Sequence, residues 1–302
     1  MQDTPAPKNS RLTRFLKLLL KIAVTIACLW YVSTRISFND IQAVLSHAEW
    51  AFLLLALAIF AIAKAIASFR LNINFRNIGL RISEADNLRL FWLGMFYNLF
   101  LPGSITGDAY KVILLSRRFK APYKKTTAAV LLDRFSGLLG LGILAAAYSY
   151  SALNNNVYSL VLSIGAVAAV FVFYFIIRRF FPDFLPGFKA TFILGLVVQC
   201  LMVACAYTIL LALHISDKQA EYIFIFLVAT VASVLPLTVG GGLGIREFVF
   251  YKGALMLGID EHTAIIVSLL FYLITLVTSL TGAVYVFKEV FAQTKVTQLS
   301  DQ

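Results

Sequence analysis

Apolar residues run through this chain in long blocks, and polar or glycine-proline clusters mark the breaks between them. Runs at 15–33, 50–69, 156–177, 190–213 and 263–287, with a polar-started one at about 126–152, are spaced as separate helices. Each approaches the ~20 apolar residues that a helix needs to cross a hydrocarbon core of ~30 Å. Two further runs, 88–101 and 222–235, hold only fourteen residues each. At about 1.5 Å per residue they reach ~21 Å, which is short of a full crossing. Both run into a Leu-Pro dipeptide, at Leu101-Pro102 and Leu235-Pro236.

Charge turns this pattern into a topology. With the basic flank Lys8, Arg11, Arg14, Lys17 and Lys21 in the cytoplasm, helix 15–33 exits and helix 50–69 returns to Arg70, Arg76, Arg81 and Arg89. A crossing at 88–101 would strand Lys111, Arg117, Arg118, Lys120, Lys124 and Lys125 outside, against the positive-inside rule. A re-entrant hairpin that breaks at 102–107 keeps them inside. The same device at 222–235 returns residues 252–262 to the outer face. Twenty of the 26 Lys and Arg residues then lie inside, while Arg35, Lys218, Arg246 and Lys252 lie outside. Lys64, near the end of its run, reads as a snorkelling side chain. Eight plain crossings are the rival arrangement.

Composition agrees with a membrane protein. The 302 residues are 60% hydrophobic and 14% charged, with a mean hydropathy of +0.85. Soluble domains hold roughly 45–50% apolar and about 25% charged residues. The net charge of +11 fits cytoplasmic loops facing anionic lipid, and no nucleic-acid-binding motif accompanies it. No A-x-A pattern follows Trp30, so the first run reads as an uncleaved helix, and TIAC ending at Cys28 is a poor lipidation signal. Cys28, Cys200, Cys205, His47, His214 and His262 have neither disulfide-framework nor metal-ligand spacing, and no cofactor is expected.

The two breaks resemble each other. LPGSITGDAYKVILL begins at Leu101 and LPLTVGGGLGIREFV begins at Leu235, and both read Leu-Pro-x-(Ser/Thr)-x-x-Gly before a charged return arm. Each comes third in a set of two helices, a hairpin and a helix, so halves at about 10–152 and 156–290 would form an inverted repeat. Paired interruptions of this kind point to a transporter-like site near the bilayer midplane. Pro102 and Pro236 end the entering helices. Ser104, Thr238, Gly107, Gly240, Gly241, Gly242 and Gly244 build irregular backbone that is tolerated only against protein or a water-filled cavity. Its free N–H groups and the returning helix N-termini offer partial positive charge, with Thr106 or Asp108 as a cap. Lys111 and Arg246 stand nearby to cradle an anionic headgroup. Asp133, Arg134 and Glu247 complete the candidate headgroup-binding set; in the blander reading Glu247 pairs with Arg246 and Asp133-Arg134 forms a structural ion pair at the start of helix 126–152, while Asn98 and Gln199 serve as interhelical glue.

Enzyme signatures are scarce. GGGLG lacks the strand of a dinucleotide fingerprint, and no P-loop, H-E-x-x-H or G-x-S-x-G is present. Glu84-Ala-Asp86 faintly resembles an acidic metal motif, but Ser83 to Asp86 fits a helix cap better.

LPGSITGDAYK at 101–111, DRFSGL at 133–138 and LPLTVGGGLGIRE at 235–247 resemble, in order, the lysylphosphatidylglycerol synthase transmembrane-region family, also called the flippase-like domain family. The resemblance implies an all-α polytopic domain of the bacterial inner membrane with both termini cytoplasmic. Longer members move an aminoacylated phospholipid between leaflets. This chain ends at Gln302 without room for their soluble synthase domain, so synthase activity is not expected. The expectation is therefore six full spans plus two re-entrant hairpins that translocate an anionic phospholipid or polyprenyl-phosphate-linked lipid, with membrane lipids as ligands. Lipid-synthesis or glycan-assembly enzymes are possible partners. The alternatives are an enzyme subunit of lipid-linked glycan or headgroup synthesis, which would need Asp108, Asp133 or Glu84, and a non-transporting scaffold.

Overall fold

The computed structural model describes residues 48–101, 105–153, 155–234, 242, 244–288 and 290–291. These form helices α1 (Trp50–Asn77), α2 (Glu84–Phe100), α3 (Thr106–Phe119), α4 (Tyr123–Ala152), α5 (Asn156–Phe180), α6 (Phe188–Ala212), α7 (Gln219–Ser233), α8 (Ile245–Leu257), α9 (Glu261–Leu280) and α10 (Val284–Phe287). Among the described residues there is no β-strand. Five helices among the described residues are long and apolar enough to cross a membrane: α1, α4, α5, α6 and the continuous stretch from Glu261 to Phe287 that holds α9 and α10. The expected span at 15–33 lies outside the described residues.

Several helix starts carry the caps their sequences announce. Ser83 Oγ accepts the Asp86 N–H at 3.1 Å, which makes Ser83–Asp86 a cap and leaves Glu84 paired with Arg76. Asn155 caps α5 by accepting the Val157 N–H at 2.9 Å. Asp260 accepts the Thr263 N–H at 2.7 Å, and the Thr263 hydroxyl and N–H together hold its carboxyl below the usual carboxylate range.

Two boundaries differ from the sequence reading, and both matter. α1 continues to Asn77 instead of ending near 69, because its polar residues find partners in the protein. Asn72 Nδ2 donates to the Ile82 carbonyl at 3.2 Å, and Asn87 Nδ2 donates to the Ser68 carbonyl and hydroxyl at 2.6 and 2.9 Å. α4 begins at Tyr123, not 126, so Asp133 and Arg134 lie ten and eleven residues inside it. At about 1.5 Å per residue that is ~15 Å from its end, far from a helix start.

The short apolar runs make antiparallel helical hairpins. Across α2 and α3, Tyr97 meets Tyr110 with ring centroids 4.7 Å apart, and Asn98 Oδ1 accepts the Gly107 N–H at 2.8 Å. A Cβ on Gly107 would collide with the Gly94 carbonyl, so the tip of the hairpin closes backbone against backbone. In the α7–α8 hairpin, Ser233 lies against Gly242 and Ile225 against Gly253. Gly242 has φ +99°, and a Cβ there would come within 2.7 Å of the Ser233 side chain, so the position needs glycine twice over.

α1 packs most extensively on α6, and α4 joins them while also holding α5, α7 and α3. α9 contacts α8, α2, α1 and α6. Large apolar side chains fill two clusters. One is centred on Phe60, Ile209, Phe226, Phe250 and Phe271, and the other on Phe75, Leu90, Leu93, Leu115 and Leu132. α5 instead exposes Val157, Leu160, Phe171 and Phe175, as a lipid-facing helix does.

Gly107→Ala is expected to lower thermal stability in detergent by about 1–3 kcal/mol through overpacking of the hairpin tip. Gly165→Ala, where a Cβ meets nothing within 4 Å, should be neutral or stabilising.

Candidate functional site

Both clusters contribute walls to a cavity of about 320 Å³. Phe60, Lys64, Arg70 and Leu71 of α1 line it opposite Asp133, Arg134 and Leu141 of α4 and Gln199 of α6. The hairpins supply Asn98, Asp108, Lys111, Thr230, Ser233 and Arg246, and α9 supplies Phe271, Thr275 and Ser279. Lys64 and Gln199 sit close to the middle of their helices. Five basic and two acidic side chains line this space, a formal excess of three positive charges.

The two carboxylates are fully engaged. Lys111 Nζ donates to Asp108 Oδ1 at 2.9 Å, and Arg134 Nε donates to Asp108 Oδ2. Arg70 grips Asp133 as a bidentate pair along one edge of its guanidinium, Nε to Oδ1 at 2.7 Å and Nη2 to Oδ2 at 3.0 Å. Lys111 Nζ also lies 4.6 Å from the Phe91 ring centre. Asp133 and Arg134 therefore do not pair with each other. They are adjacent on a helix and point to different partners, one on α1 and one on α3.

The remaining cations lie on aromatic rings. Arg246 stacks over Phe271 with its guanidinium carbon 4.1 Å from the ring centre, and Lys64 Nζ is 4.6 Å from that of Phe60. Phe60 and Phe271 form an edge-to-face pair with centroids 5.6 Å apart. Arg246 Nε and Nη2, Arg70 Nη1 and Gln199 Oε1 are buried and have no hydrogen-bond partner among the described residues.

The structure thus brings together Asp108, Lys111, Asp133, Arg134 and Arg246 from the sequence reading. Glu247 is elsewhere: it accepts the Gly244 N–H and the Ser268 hydroxyl, the latter at 3.3 Å. The start of α8 is therefore occupied by its own carboxylate instead of being open to an anion, and Glu247 does not bond Arg246. Gly244 has φ +89°, as a glycine break requires. The residue capping position of α3 is Ile105, not Thr106 or Asp108, because Asp108 turns to Lys111 and Arg134. Pro102, Ser104, Pro236, Thr238, Gly240 and Gly241 lie outside the described residues.

Lys64, Arg70 and Gln199 were missed as lining groups. Arg70 read as a loop cation and Lys64 as a snorkelling one because the apolar run stops at 69. The available signal was the stripe Phe60, Lys64, Ala67 and Leu71, which shares one helical face across that apparent boundary. Gln199 does act as glue, its Nε2 donating to the Gly137 carbonyl at 3.3 Å, and it lines the cavity as well.

Arg70→Met leaves Asp133 buried and uncompensated, and is expected to cost about 3–5 kcal/mol in thermal unfolding. The double variant Arg70→Met, Asp133→Leu should regain most of that loss.

A family profile for the lysylphosphatidylglycerol synthase TM region matches residues 18–282. A UPF0104 membrane protein of Pyrococcus horikoshii is 23% identical over 163 residues, which are 53% of this chain and 48% of that protein. The match thus spans about half the length of the relative. With the profile covering all but the ends of a chain built of long apolar helices, this multi-pass membrane protein belongs to the lysylphosphatidylglycerol synthase transmembrane-region family.

Proposed function

We propose that this protein binds the anionic headgroup of a lipid and carries it between leaflets, its ligand being an anionic phospholipid or a polyprenyl-phosphate-linked lipid. The observation that carries this reading is the cavity at mid-helix depth with five basic and two acidic side chains. Ionisable groups are costly in a bilayer interior and persist where they serve a pathway or a ligand. The surplus of positive charge selects an anion. The lipid tails stay in the bilayer while the headgroup enters the cavity.

The hairpins belong to the same reading. α2, α3, α7 and α8 have 17, 14, 15 and 13 residues, so at about 1.5 Å each none reaches the ~30 Å of a full crossing. The packing scheme also supports an inverted repeat. If α1 corresponds to α6, α2 to α7, α3 to α8 and α4 to α9, the main contacts among these eight helices have counterparts. α2–α3 matches α7–α8, α3–α4 matches α8–α9, α4–α7 matches α9–α2, and the α1–α6 contact maps onto itself. The site then lies where the halves meet, with both termini cytoplasmic in the inner membrane. Translocation fits better than catalysis, because both cavity carboxylates are held as counter-ions and are poorly placed to move protons.

In vesicles containing an acyl-labelled fluorescent phosphatidylglycerol, the protein should expose inner-leaflet label to an impermeant quencher. Arg246→Ala is expected to slow that exposure about tenfold or more, by loss of a charge-assisted contact. Unchanged exchange with and without protein would overturn the reading and favour the enzyme-subunit or scaffold alternatives. For the hairpins, Lys120→Cys and His262→Cys are placed singly in a chain lacking Cys28, Cys200 and Cys205. An impermeant thiol reagent should label 262 in intact cells and 120 only after lysis. Labelling of both 120 and 262 in intact cells would mean eight plain crossings.

A further inference from the structure

The cavity charges fall into separate groups, and one group has no counter-charge. Arg70 is neutralised by Asp133, and Lys111 and Arg134 share Asp108. Lys64 and Arg246 have no carboxylate within ion-pair distance among the described residues. These two stand on the two rings of one edge-to-face pair, Phe60 and Phe271. Arg246 is only 5% exposed, and its unpartnered atoms are Nε and Nη2. Those atoms form the edge of a guanidinium that meets two oxygens of a phosphate in parallel. With the Phe271 ring beneath the guanidinium carbon, that edge is left without a partner among the described residues.

We propose that Arg246 and Lys64 form a subsite for a doubly charged phosphate monoester, so that lipids ending in a terminal phosphate are taken in preference to phosphodiester lipids. The proposal rests on the reading of the cavity as a lipid headgroup site, and it narrows the headgroup. Two cations lining one cavity repel each other and are costly to bury without counter-charge. A phosphate monoester carries about 1.5 to 2 negative charges at pH 7 and three acceptor oxygens. Two of those oxygens meet the Arg246 edge and the third meets Lys64. A phosphodiester brings one charge and two free oxygens, enough for Arg246 alone. Arg70 Nη1, also without a partner, is a further donor on the same wall.

The test uses the purified full chain in detergent and two lipids with the same short acyl chains, dioctanoyl phosphatidic acid and dioctanoyl phosphatidylglycerol. Titration by thermophoresis should give phosphatidic acid about tenfold tighter binding or more. Lys64→Gln should bring the two lipids to within about threefold, because the charge that distinguishes them is gone. Arg246→Lys keeps the charge and loses the two-pronged edge, and should weaken both lipids. Equal affinities in the unaltered protein overturn the proposal, and that comparison does not depend on any variant folding. Glycerol 3-phosphate added as competitor separates the sources. If it displaces the lipid at comparable concentration, the subsite takes a soluble phosphate ester; if it needs a large excess, the ligand is the lipid. The vesicle assay reports independently: exchange without a phosphatidic acid preference removes only this inference, and preference without exchange removes the translocation reading while keeping the subsite.

Discussion

Seven ionisable side chains stand in the middle of an apolar helical protein, and their mutual satisfaction constrains the rest of the fold. A buried carboxylate needs donors, and although Lys111 reaches Asp108 within α3, the other two pairings each tie two helices together. Arg70 with Asp133 joins α1 to α4, and Asp108 with Arg134 joins α3 to the same helix. α4 is thereby held on both sides at the level of the cavity, whose walls could not part without exposing charge to hydrocarbon. Helices above and below that level pack by ordinary apolar contact. In a bilayer such contact has little hydrophobic drive, because lipid tails are as apolar as the side chains.

Small residues let this arrangement close. Gly107 meets the Gly94 backbone in the first hairpin, and Gly282 brings the segment after α9 against the Trp92 carbonyl. Gly195 lies beside Ser136 and the Arg70 guanidinium, so α6 comes near enough to α4 for Gln199 to reach the Gly137 carbonyl. The result is a tightly packed interior around the charged cavity. Aromatic rings finish it: Phe60 and Phe271 each carry a cation, Lys64 and Arg246, so positive charge is held there without a carboxylate partner among the described residues.

Much of this was legible in the order of residues. The block pattern of apolar runs gave five of the spans, and the two short runs ending at Leu-Pro became the two helical hairpins. Asp108, Lys111, Asp133, Arg134 and Arg246 were picked out as charged residues in apolar context, and the cavity gathers all five. The errors share one cause. Arg70 and Asp133 were each read by their neighbours in sequence, as a loop cation and as half of an adjacent ion pair, whereas their partners are 63 residues away. Glu247 was read as a partner of adjacent Arg246, whereas it closes the start of its own helix and accepts the Ser268 hydroxyl of α9.

The sequence by itself determined that this chain lives in a membrane, which stretches are helical, and where the helices break. Those properties follow from length, hydropathy and the backbone restrictions of proline and glycine, all of which act within a few residues. Only the tertiary structure decided which charges cancel and which remain. That outcome depends on helix rotation and on approach distances set by glycines on other helices, and a shift of one residue around a helix turns a side chain by ~100°. Arg246 and Lys64 look no different in sequence from Arg134 and Lys111. What separates them is that Asp108 is within reach of one pair, while the other has aromatic rings beneath it and no carboxylate among the described residues.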